Sequence, residues 1–212
     1  ASGLMLLPPM RYYADDEDTL AFFKAVAEST DLPIMIYNNP VDYKIEVTLD
    51  MFAELANYEN IQAVKESTRN ISNITRMINR FGDRFKIFTG VDPIAMESLV
   101  MGAHGWVAGL VDAFPKETVA IYRLVKSNRI QEALTIYRWF LPVLELDIHP
   151  KLVQYIKLAE VGTGIGTENV RAPRLKIKGE ERERVLKIID DALTARPILT
   201  ENSWGVLELP TV

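Results

Sequence analysis

The chain has 212 residues, 48% of them hydrophobic and 25% charged, with a formal net charge of −5, so we expect one domain without a basic surface for nucleic acid. It contains no cysteine, which excludes disulfides and thiolate sites and is typical of a cytoplasmic protein. No apolar stretch approaches the roughly 20 residues that cross a bilayer, so no membrane partner is expected.

Up to residue 113 the sequence alternates short apolar runs with segments of helical periodicity. The runs predicted as strands are Leu4 to Leu7, Ile34 to Tyr37, Ile61 to Lys65, Phe85 to Thr89 and Trp106 to Ala108. Helices are predicted between them over residues 16–29, 48–56, 71–80 and 93–101. Strands that are apolar throughout and are joined by helices indicate an α/β fold with a parallel sheet buried on both faces.

Beyond residue 113 the pattern is helical, and no strand signal of comparable strength returns. Helices are predicted over residues 116–127, 130–141, 151–160 and 180–196. We therefore divide the chain into residues 1–113, which hold the five strands, and residues 114–212, which hold the last helix of the β/α repeat and a helical C-terminal region.

Lys65 ends the third predicted strand and precedes the polar cluster Glu66-Ser67-Thr68. A lysine rarely ends a buried run unpaired, and burial there would favour the neutral amine, which can attack a substrate carbonyl. Glu66 should point to the opposite face of the strand and pair with a helix residue. The alternative for Lys65 is a surface lysine whose stem lies along apolar neighbours.

Tyr37 ends the preceding predicted strand, in the segment Tyr37-Asn38-Asn39-Pro40. Because successive parallel strands joined by a helix end at the same edge of a sheet, Tyr37 and Lys65 should lie side by side. A phenol in that place can relay protons during imine chemistry. The alternative for Tyr37 is an aromatic side chain that only fills the rim.

These segments resemble a known family. Tyr37-Asn38-Asn39-Pro40 followed by Val64-Lys65-Glu66-Ser67 is similar to the signature of the dihydrodipicolinate synthase and N-acetylneuraminate lyase superfamily of class I aldolases. The segments Thr89 to Asp92 and Gly102 to Val107 are similar to the end of the family's seventh strand and to the entry of its eighth. The resemblance covers the chain from Leu4 to about Leu175.

The resemblance implies a (β/α)8 TIM barrel enzyme in which Lys65 forms an imine with a 2-oxo acid and Tyr37 moves protons. It implies that the backbone at Gly90 and Val107 lines the substrate cavity, with Asn39 as a further substrate-binding residue. No cofactor and no metal is expected for this chemistry. The expected partners are a small-molecule 2-oxo acid and further copies of the chain, in a dimer or tetramer.

A complete barrel has eight strands and about 250 residues, whereas this sequence predicts five strands. On the family's pattern three β/α units, roughly 90 residues, are missing before Leu4, and the chain does not begin with methionine. We therefore expect a chain that is truncated at its N-terminus and lacks the strand ends that bind the substrate carboxylate in the family. It would be part of a longer protein or be completed by another chain.

Two departures from the family's synthases bear on the substrate. Asp42 stands where the synthases have an arginine, and its carboxylate would repel an incoming aspartate semialdehyde instead of clamping it. Met10-Arg11 stands where they have paired tyrosines, one of which reaches the site of a neighbouring subunit. Because Tyr12-Tyr13 is shifted along this chain, a relay between subunits is not expected in the same form. Arg11 is a candidate for binding a substrate carboxylate or hydroxyl, and the alternative is a surface salt bridge.

The segments Ile36 to Tyr43, Lys151 to Lys157 and Val170 to Arg174 look closest to bacterial family members of hydroxyproline and sugar-acid catabolism. This resemblance implies dehydration or deamination of a 4-hydroxylated substrate through an imine and an enamine. The alternatives are a dihydrodipicolinate synthase, a pyruvate-dependent aldolase and a non-catalytic member of the family.

The remaining polar and aromatic residues that could carry chemistry are interpreted as structural. His104 and His149 are far apart in the sequence and lack Asp or Glu at ligand spacing, so a metal triad is not expected. The acidic run Asp15 to Asp18 suits the start of a helix and is interpreted as a cap. The tryptophans are interpreted as packing residues: Trp106, Trp139 and Trp204.

Overall fold

In the computed structural model, which describes residues 1–12, 14–107 and 109–199, five strands pair side by side in chain order and form one parallel sheet. The strands are β1 (Leu4–Leu6), β2 (Ile34–Asn38), β3 (Ile61–Glu66), β4 (Lys86–Thr89) and β5 (Gly105–Trp106). The predicted parallel sheet is confirmed, and its order is that of successive units in a (β/α)8 barrel. Ala108, predicted as the end of the fifth strand, lies outside the described residues.

The helices agree with the predicted ones to within a few residues, with some additions. They are α1 (Asp16–Glu28), α2 (Pro40–Tyr43), α3 (Leu49–Leu55), α4 (Ser72–Phe81), α5 (Ala95–Val100), α6 (Pro115–Lys126), α7 (Ile130–Leu144), α8 (Leu152–Thr163) and α9 (Gly179–Thr194). The helix α2 and the 3₁₀ turns at Leu110–Ala113 and Glu145–Ile148 were not predicted, because such short elements show no periodicity. The helix predicted from residue 93 begins as a 3₁₀ turn, Asp92–Ile94, before α5.

The described residues form two compact units. Residues 1–90 and 97–107 form the first, which contains the whole sheet. Residues 91–96 and 109–199 belong to the second, which is helical. The helices predicted beyond residue 114 therefore lie in the second unit.

The alternation along β2 separates the two faces of the sheet. Ile34, Ile36 and Asn38 are buried, whereas Met35 and Tyr37 between them are half-buried. Alternate residues of a strand point to opposite faces. Tyr37 therefore lies on the face opposite to the apolar residues Ile34 and Ile36.

β3 carries one extra residue near its start. Ile34 pairs with Ile61, but the next residue, Met35, pairs with Ala63, so Gln62 has no counterpart in the register and is exposed. A bulge of this kind shifts the alternation by one residue. As a result Ile61 and Ala63 lie on opposite faces, although only Gln62 separates them.

Arg84 holds the segment that leads into β3. Its guanidinium donates hydrogen bonds to the carbonyl oxygens of Ala56, Tyr58 and Ile61 at 2.7 to 3.0 Å. Buried carbonyl groups need donors. The Arg84 side chain thus supplies hydrogen-bond donors to the carbonyl groups of the turn between α3 and β3 and fixes the start of the strand.

Two helices of the first unit begin with side-chain caps. The Asp15 carboxylate accepts a hydrogen bond from the backbone N–H of Asp18 at 2.9 Å, which confirms that part of the acidic run caps α1. Thr48 Oγ1 accepts from the N–H of Met51 at 3.3 Å at the start of α3. Such caps satisfy N–H groups that have no partner within the helix.

Aromatic packing holds the second unit together. The Phe114 ring meets Trp139 and Phe140 edge-on, with ring centres 5.9 and 5.1 Å apart. Trp139 also donates from Nε1 to the carbonyl of Ala192 in α9 at 2.9 Å, so its predicted packing role is confirmed. Trp204 lies outside the described residues. Within the part of the chain that the structure describes, no helix is both long and apolar enough to cross a membrane.

Candidate active site

Lys65 and Tyr37 lie side by side at the ends of neighbouring strands. The register of β2 and β3 pairs them directly, and Lys65 Nζ lies 4.1 Å from the centre of the Tyr37 ring. Lys65 is only 9% exposed. The juxtaposition predicted from the strand order is therefore present, and Lys65 is not a surface lysine.

Gly90 leaves the space that the Lys65 side chain occupies. A Cβ atom at Gly90 would lie 2.8 Å from both Cγ and Cε of Lys65, and it would also collide with Ser67 Oγ. The N–H of Gly90 donates to the carbonyl of Glu66 at 2.9 Å, which holds the end of β4 against β3. The backbone of Gly90 thus forms one wall beside the amine, and a larger residue would not fit.

Val107, the second residue predicted to line the cavity, follows β5 and is half-buried. Its N–H donates to the carbonyl of Thr89 at 2.9 Å. The N–H groups of Val107 and Gly90 are therefore both used within the sheet. Contacts from these two residues to a substrate would have to come from other backbone atoms.

Ser67 presents a hydroxyl group beside Lys65. The residue is 2% exposed, and its Oγ atom makes no hydrogen bond among the residues that the structure describes. A buried hydroxyl without a partner costs about 1–3 kcal/mol, so a bound molecule that supplies a partner would be favoured. Ser67 was not predicted as a site residue, although its spacing from Lys65 was a signal, because alternate residues of a strand share a face.

Glu66 faces away from Lys65 and ties β3 to its surroundings. Its carboxylate accepts hydrogen bonds from Asn38 Nδ2 at 3.3 Å, Asn73 Nδ2 at 2.9 Å and the backbone N–H of Thr68 at 2.9 Å. Asn73 belongs to α4, so the predicted pairing with a helix residue is confirmed. Burial raises the pKa of the Glu66 carboxyl group, although these hydrogen bonds oppose that effect.

Asn39 and Tyr43, at the two ends of α2, contact Tyr37, and Asn39 also binds Asp42. Asn39 Nδ2 donates to Tyr37 Oη at 3.2 Å and to Asp42 Oδ2 at 2.7 Å. The Tyr43 ring meets the Tyr37 ring edge-on, with centres 5.5 Å apart. Burial raises the pKa of the Tyr43 phenol, and Tyr37 and Asp42 raise it further. The structure thus brings Asn39 and Asp42 to the candidate site together with Tyr43, which the sequence analysis passed over although it lies in the same motif.

Arg11 does not join this cluster. It lies in the exposed turn after β1 and makes no ion pair within residues 1–12, 14–107 and 109–199. The neighbouring Tyr12 is exposed as well, and Tyr13 lies outside the described residues. A role for Arg11 in substrate binding stays a prediction.

Both histidines make local structural contacts. His104 Nδ1 accepts a hydrogen bond from the N–H of Ile87 at 3.1 Å, and His149 Nδ1 accepts from the N–H of Lys151 at 3.1 Å. Among the described residues, no group of three His, Asp, Glu or Cys side chains is arranged to hold a metal ion.

Comparison with known proteins gives consistent matches. The profile of the dihydrodipicolinate synthetase family matches residues 1–192. The 4-hydroxy-tetrahydrodipicolinate synthases of Oceanobacillus iheyensis and Exiguobacterium sibiricum are 25% and 31% identical to this chain, over 89% and 84% of its length. The solved structure of the 4-hydroxy-tetrahydrodipicolinate synthase of Methylacidiphilum fumariolicum is similar over 92% of this chain and 66% of its own, with a TM-score of 0.81 at 25% identity.

This chain is shorter than the relatives that it matches. It spans 64% of the Oceanobacillus protein and 59% of the Exiguobacterium protein. The strand ends that carry Tyr37, Lys65 and Gly90 lie within the matched residues.

Proposed function

Since this chain belongs to the dihydrodipicolinate synthetase family, we propose that it functions as a class I lyase in which Lys65 forms an imine with a 2-oxo acid. The observation that carries the proposal is the buried Lys65 amine 4.1 Å from the Tyr37 ring. A lysine amine withdrawn from water is suited to attack a carbonyl carbon. Tyr37 supplies an acid and base group within reach of the same carbon.

The reaction begins when the Lys65 amine adds to the C2 carbonyl of the 2-oxo acid and gives a carbinolamine. Tyr37 donates its phenolic proton to the departing hydroxyl, which leaves as water, so that an iminium ion and a phenolate remain. The phenolate then takes a proton from C3, and the electron pair of that bond forms the C2=C3 double bond of a neutral enamine. The enamine expels the C4 hydroxyl, which takes the proton from Tyr37 and leaves as water, and hydrolysis frees Lys65.

The substrate class that we favour is a 4-hydroxylated 2-oxo acid or its cyclic imine, converted by dehydration or deamination. Asp42 supports this choice, because Asn39 holds its carboxylate at 2.7 Å beside the Tyr37 phenol. A second substrate that carries its own carboxylate would be repelled there.

Condensation of pyruvate with aspartate semialdehyde is the second candidate. The names of the Oceanobacillus and Exiguobacterium relatives, both 4-hydroxy-tetrahydrodipicolinate synthases, favour it. The two candidates share the Lys65 imine and differ in what reacts with the enamine.

We also propose that copies of the protein associate into a dimer or tetramer. Large apolar side chains are exposed on the second unit, among them Val161, Ile165 and Leu175. Association with a second copy would remove such apolar surface from water. Light scattering on the intact protein would detect such an assembly.

Borohydride reduction in the presence of pyruvate tests the proposed imine on the intact protein. A reduced pyruvate adduct should appear on Lys65 by peptide mass spectrometry, and Lys65→Arg should abolish it because the guanidinium cannot attack the carbonyl. The matched control is Lys86→Arg, at the exposed start of β4, which should leave the adduct unchanged. An adduct on another lysine would contradict the assignment, and the absence of any adduct would favour a non-catalytic role.

A further inference from the structure

We propose that Asn39 is a positioning residue that acts through the Tyr37 hydroxyl and does not bind the substrate. This inference rests on the proposed lyase function. It replaces the substrate-binding role that the sequence analysis predicts for Asn39. The role of Asn39 depends on which side of its amide faces the Tyr37 phenol.

The neighbours of Asn39 fix the orientation of its amide. Oδ1 faces the backbone N–H of Asp42 at 3.4 Å at the start of α2. Nδ2 faces two acceptors, Tyr37 Oη at 3.2 Å and Asp42 Oδ2 at 2.7 Å. The reversed amide would place its carbonyl oxygen against the Asp42 carboxylate and its amino group against a backbone N–H. Asp42 therefore holds Asn39 with a donor directed at Tyr37.

This donor has two consequences for the phenol. Because Tyr37 Oη accepts a hydrogen bond from Asn39 Nδ2, the phenolic proton does not point toward Asn39. A hydrogen bond to an oxygen is also stronger when that oxygen is charged. In the proposed reaction Tyr37 is a phenolate between the loss of water from the carbinolamine and the removal of the C3 proton. Asn39 is thus placed to assist the two steps between which Tyr37 carries this charge.

The same contacts occupy the amide hydrogens of Asn39 that could otherwise bind a substrate. The residue is 5% exposed, and both hydrogens of its amide are used by Tyr37 and Asp42. Tyr43 supports the arrangement from the other side, since its ring meets the Tyr37 ring edge-on. Burial, with Tyr37 and Asp42, raises the pKa of Tyr43, which makes the Tyr43 phenol a weaker acid.

Exchange of the C3 protons of pyruvate for solvent deuterium isolates the proton-transfer steps. The exchange is followed by NMR on the intact protein and on two variants, Asn39→Ser and Asn39→Asp. Both variants keep an oxygen that can cap α2, and both lack the amide donor. We expect the exchange rate to fall about 10- to 100-fold, which corresponds to the loss of one charge-assisted hydrogen bond. The KM for pyruvate and the borohydride adduct on Lys65 at saturating pyruvate should stay close to those of the unaltered protein.

A double-variant comparison separates positioning from substrate contact. If Asn39 acts through the hydroxyl, adding Asn39→Ser to Tyr37→Phe should cost no further exchange activity. A raised KM, or a further loss in the Tyr37→Phe background, would mean that Asn39 contacts the substrate and would overturn the inference. Unaltered exchange in both single variants would overturn it as well. Failure of the unaltered protein to form the Lys65 adduct would instead overturn the proposed function.

Discussion

The Tyr37 side chain meets its neighbours through two different surfaces. Its ring face lies 4.1 Å from Lys65 Nζ, whereas its hydroxyl accepts a hydrogen bond from Asn39. An aromatic face attracts a cation through its quadrupole, but proton transfer needs the hydroxyl. A substitution that removes the hydroxyl and keeps the ring therefore separates the two contributions.

Tyr37→Phe is that substitution. We expect turnover to fall by roughly 10²- to 10⁴-fold, the range for a positioned acid or base, with little change in thermal stability because the ring packing is kept. Steady-state assays and thermal unfolding measure the two effects. Tyr58→Phe is the matched control, because it removes a hydroxyl that donates to Glu28 away from the site and should leave turnover unchanged. If Tyr37→Phe turns over at the unaltered rate, Tyr37 is an aromatic side chain that only fills the rim.

Gly90→Ala tests whether the space beside Lys65 is needed. The added methyl group would lie 2.8 Å from Lys65 Cγ and Cε, so the lysine side chain must move. A displacement of about 1 Å costs on the order of 100-fold in rate, and we expect the rate of borohydride trapping to fall by a similar factor. Gly162→Ala, where the added methyl group would crowd Ile189 and Leu193 in the second unit, is the control and should leave trapping unchanged. Equal trapping in both variants would show that Gly90 imposes no constraint on the amine.

The end of β3 presents different groups to its two faces. Lys65 is directed to the Tyr37 side, while Glu66 binds Asn38 of β2 and Asn73 of α4 on the other side. A carboxyl group in this buried position is more easily protonated, because burial raises its pKa above the usual 4.5. The stability that Glu66 and its hydrogen bonds give to the end of β3 should therefore depend on pH.

The pH dependence of stability tests this network. A raised pKa means that the folded state keeps a proton that the unfolded chain releases. The stabilising contribution is therefore complete below pH 4.5 and is lost as the pH rises through the raised pKa. Relative to Glu66→Gln, which cannot titrate, the free energy of unfolding of the unaltered protein should fall with rising pH, by at most about 1.4 kcal/mol per pH unit. Denaturant titrations between pH 5 and pH 8 measure it, with the exposed Glu59→Gln as control. Parallel curves for the unaltered protein and Glu66→Gln would contradict the expectation.

At the element scale, the sequence predicts what periodicity and strand order determine. The buried strands and most helices are recognisable because their apolar runs are long enough to show a pattern. The pairing of Tyr37 with Lys65 follows from the position of both residues at strand ends. The link from Asn39 to the Tyr37 hydroxyl could not be predicted, because it depends on the four-residue helix Pro40–Tyr43 and on a side-chain rotamer. The hydroxyl of Ser67 was overlooked for a similar reason, since its burial depends on the packing of Gly90.

At the scale of the whole chain, the family predicted from the motifs is confirmed by the match over residues 1–192. The substrate stays a prediction, because family members share the imine chemistry and differ in the groups around it. Asp42 is the group in the described residues that most directly bears on the choice. Its carboxylate is exposed but is held beside Tyr37 through Asn39.

Parallel assays of two reactions on the intact protein test the substrate class. Two like charges about 4 Å apart repel by about 1 kcal/mol in water and about 4 kcal/mol near a protein surface. Condensation of pyruvate with aspartate semialdehyde should therefore be suppressed by roughly five- to a thousandfold, while a 4-hydroxylated 2-oxo acid or its cyclic imine should release water or ammonia. Asp42→Asn, which keeps an acceptor for Asn39 and removes the charge, should recover part of the condensation. If the unaltered protein condenses the two substrates efficiently and Lys65→Arg loses this activity, the proposal of a 4-hydroxylated substrate is wrong.

The bulge at Gln62 allows β3 to lose a residue without turning Lys65 to the other face. Gln62 is exposed and has no partner in the strand register, so many different side chains could stand there. Its removal would make Ile61 and Ala63 successive residues, and successive residues of a regular strand already point to opposite faces, so Ile61 and Lys65 would both keep their sides. An extra residue between Ala63 and Lys65 would instead turn Lys65 away from Tyr37 in the present register. Loss of Gln62 should therefore be tolerated during evolution more readily than an insertion between Ala63 and Lys65.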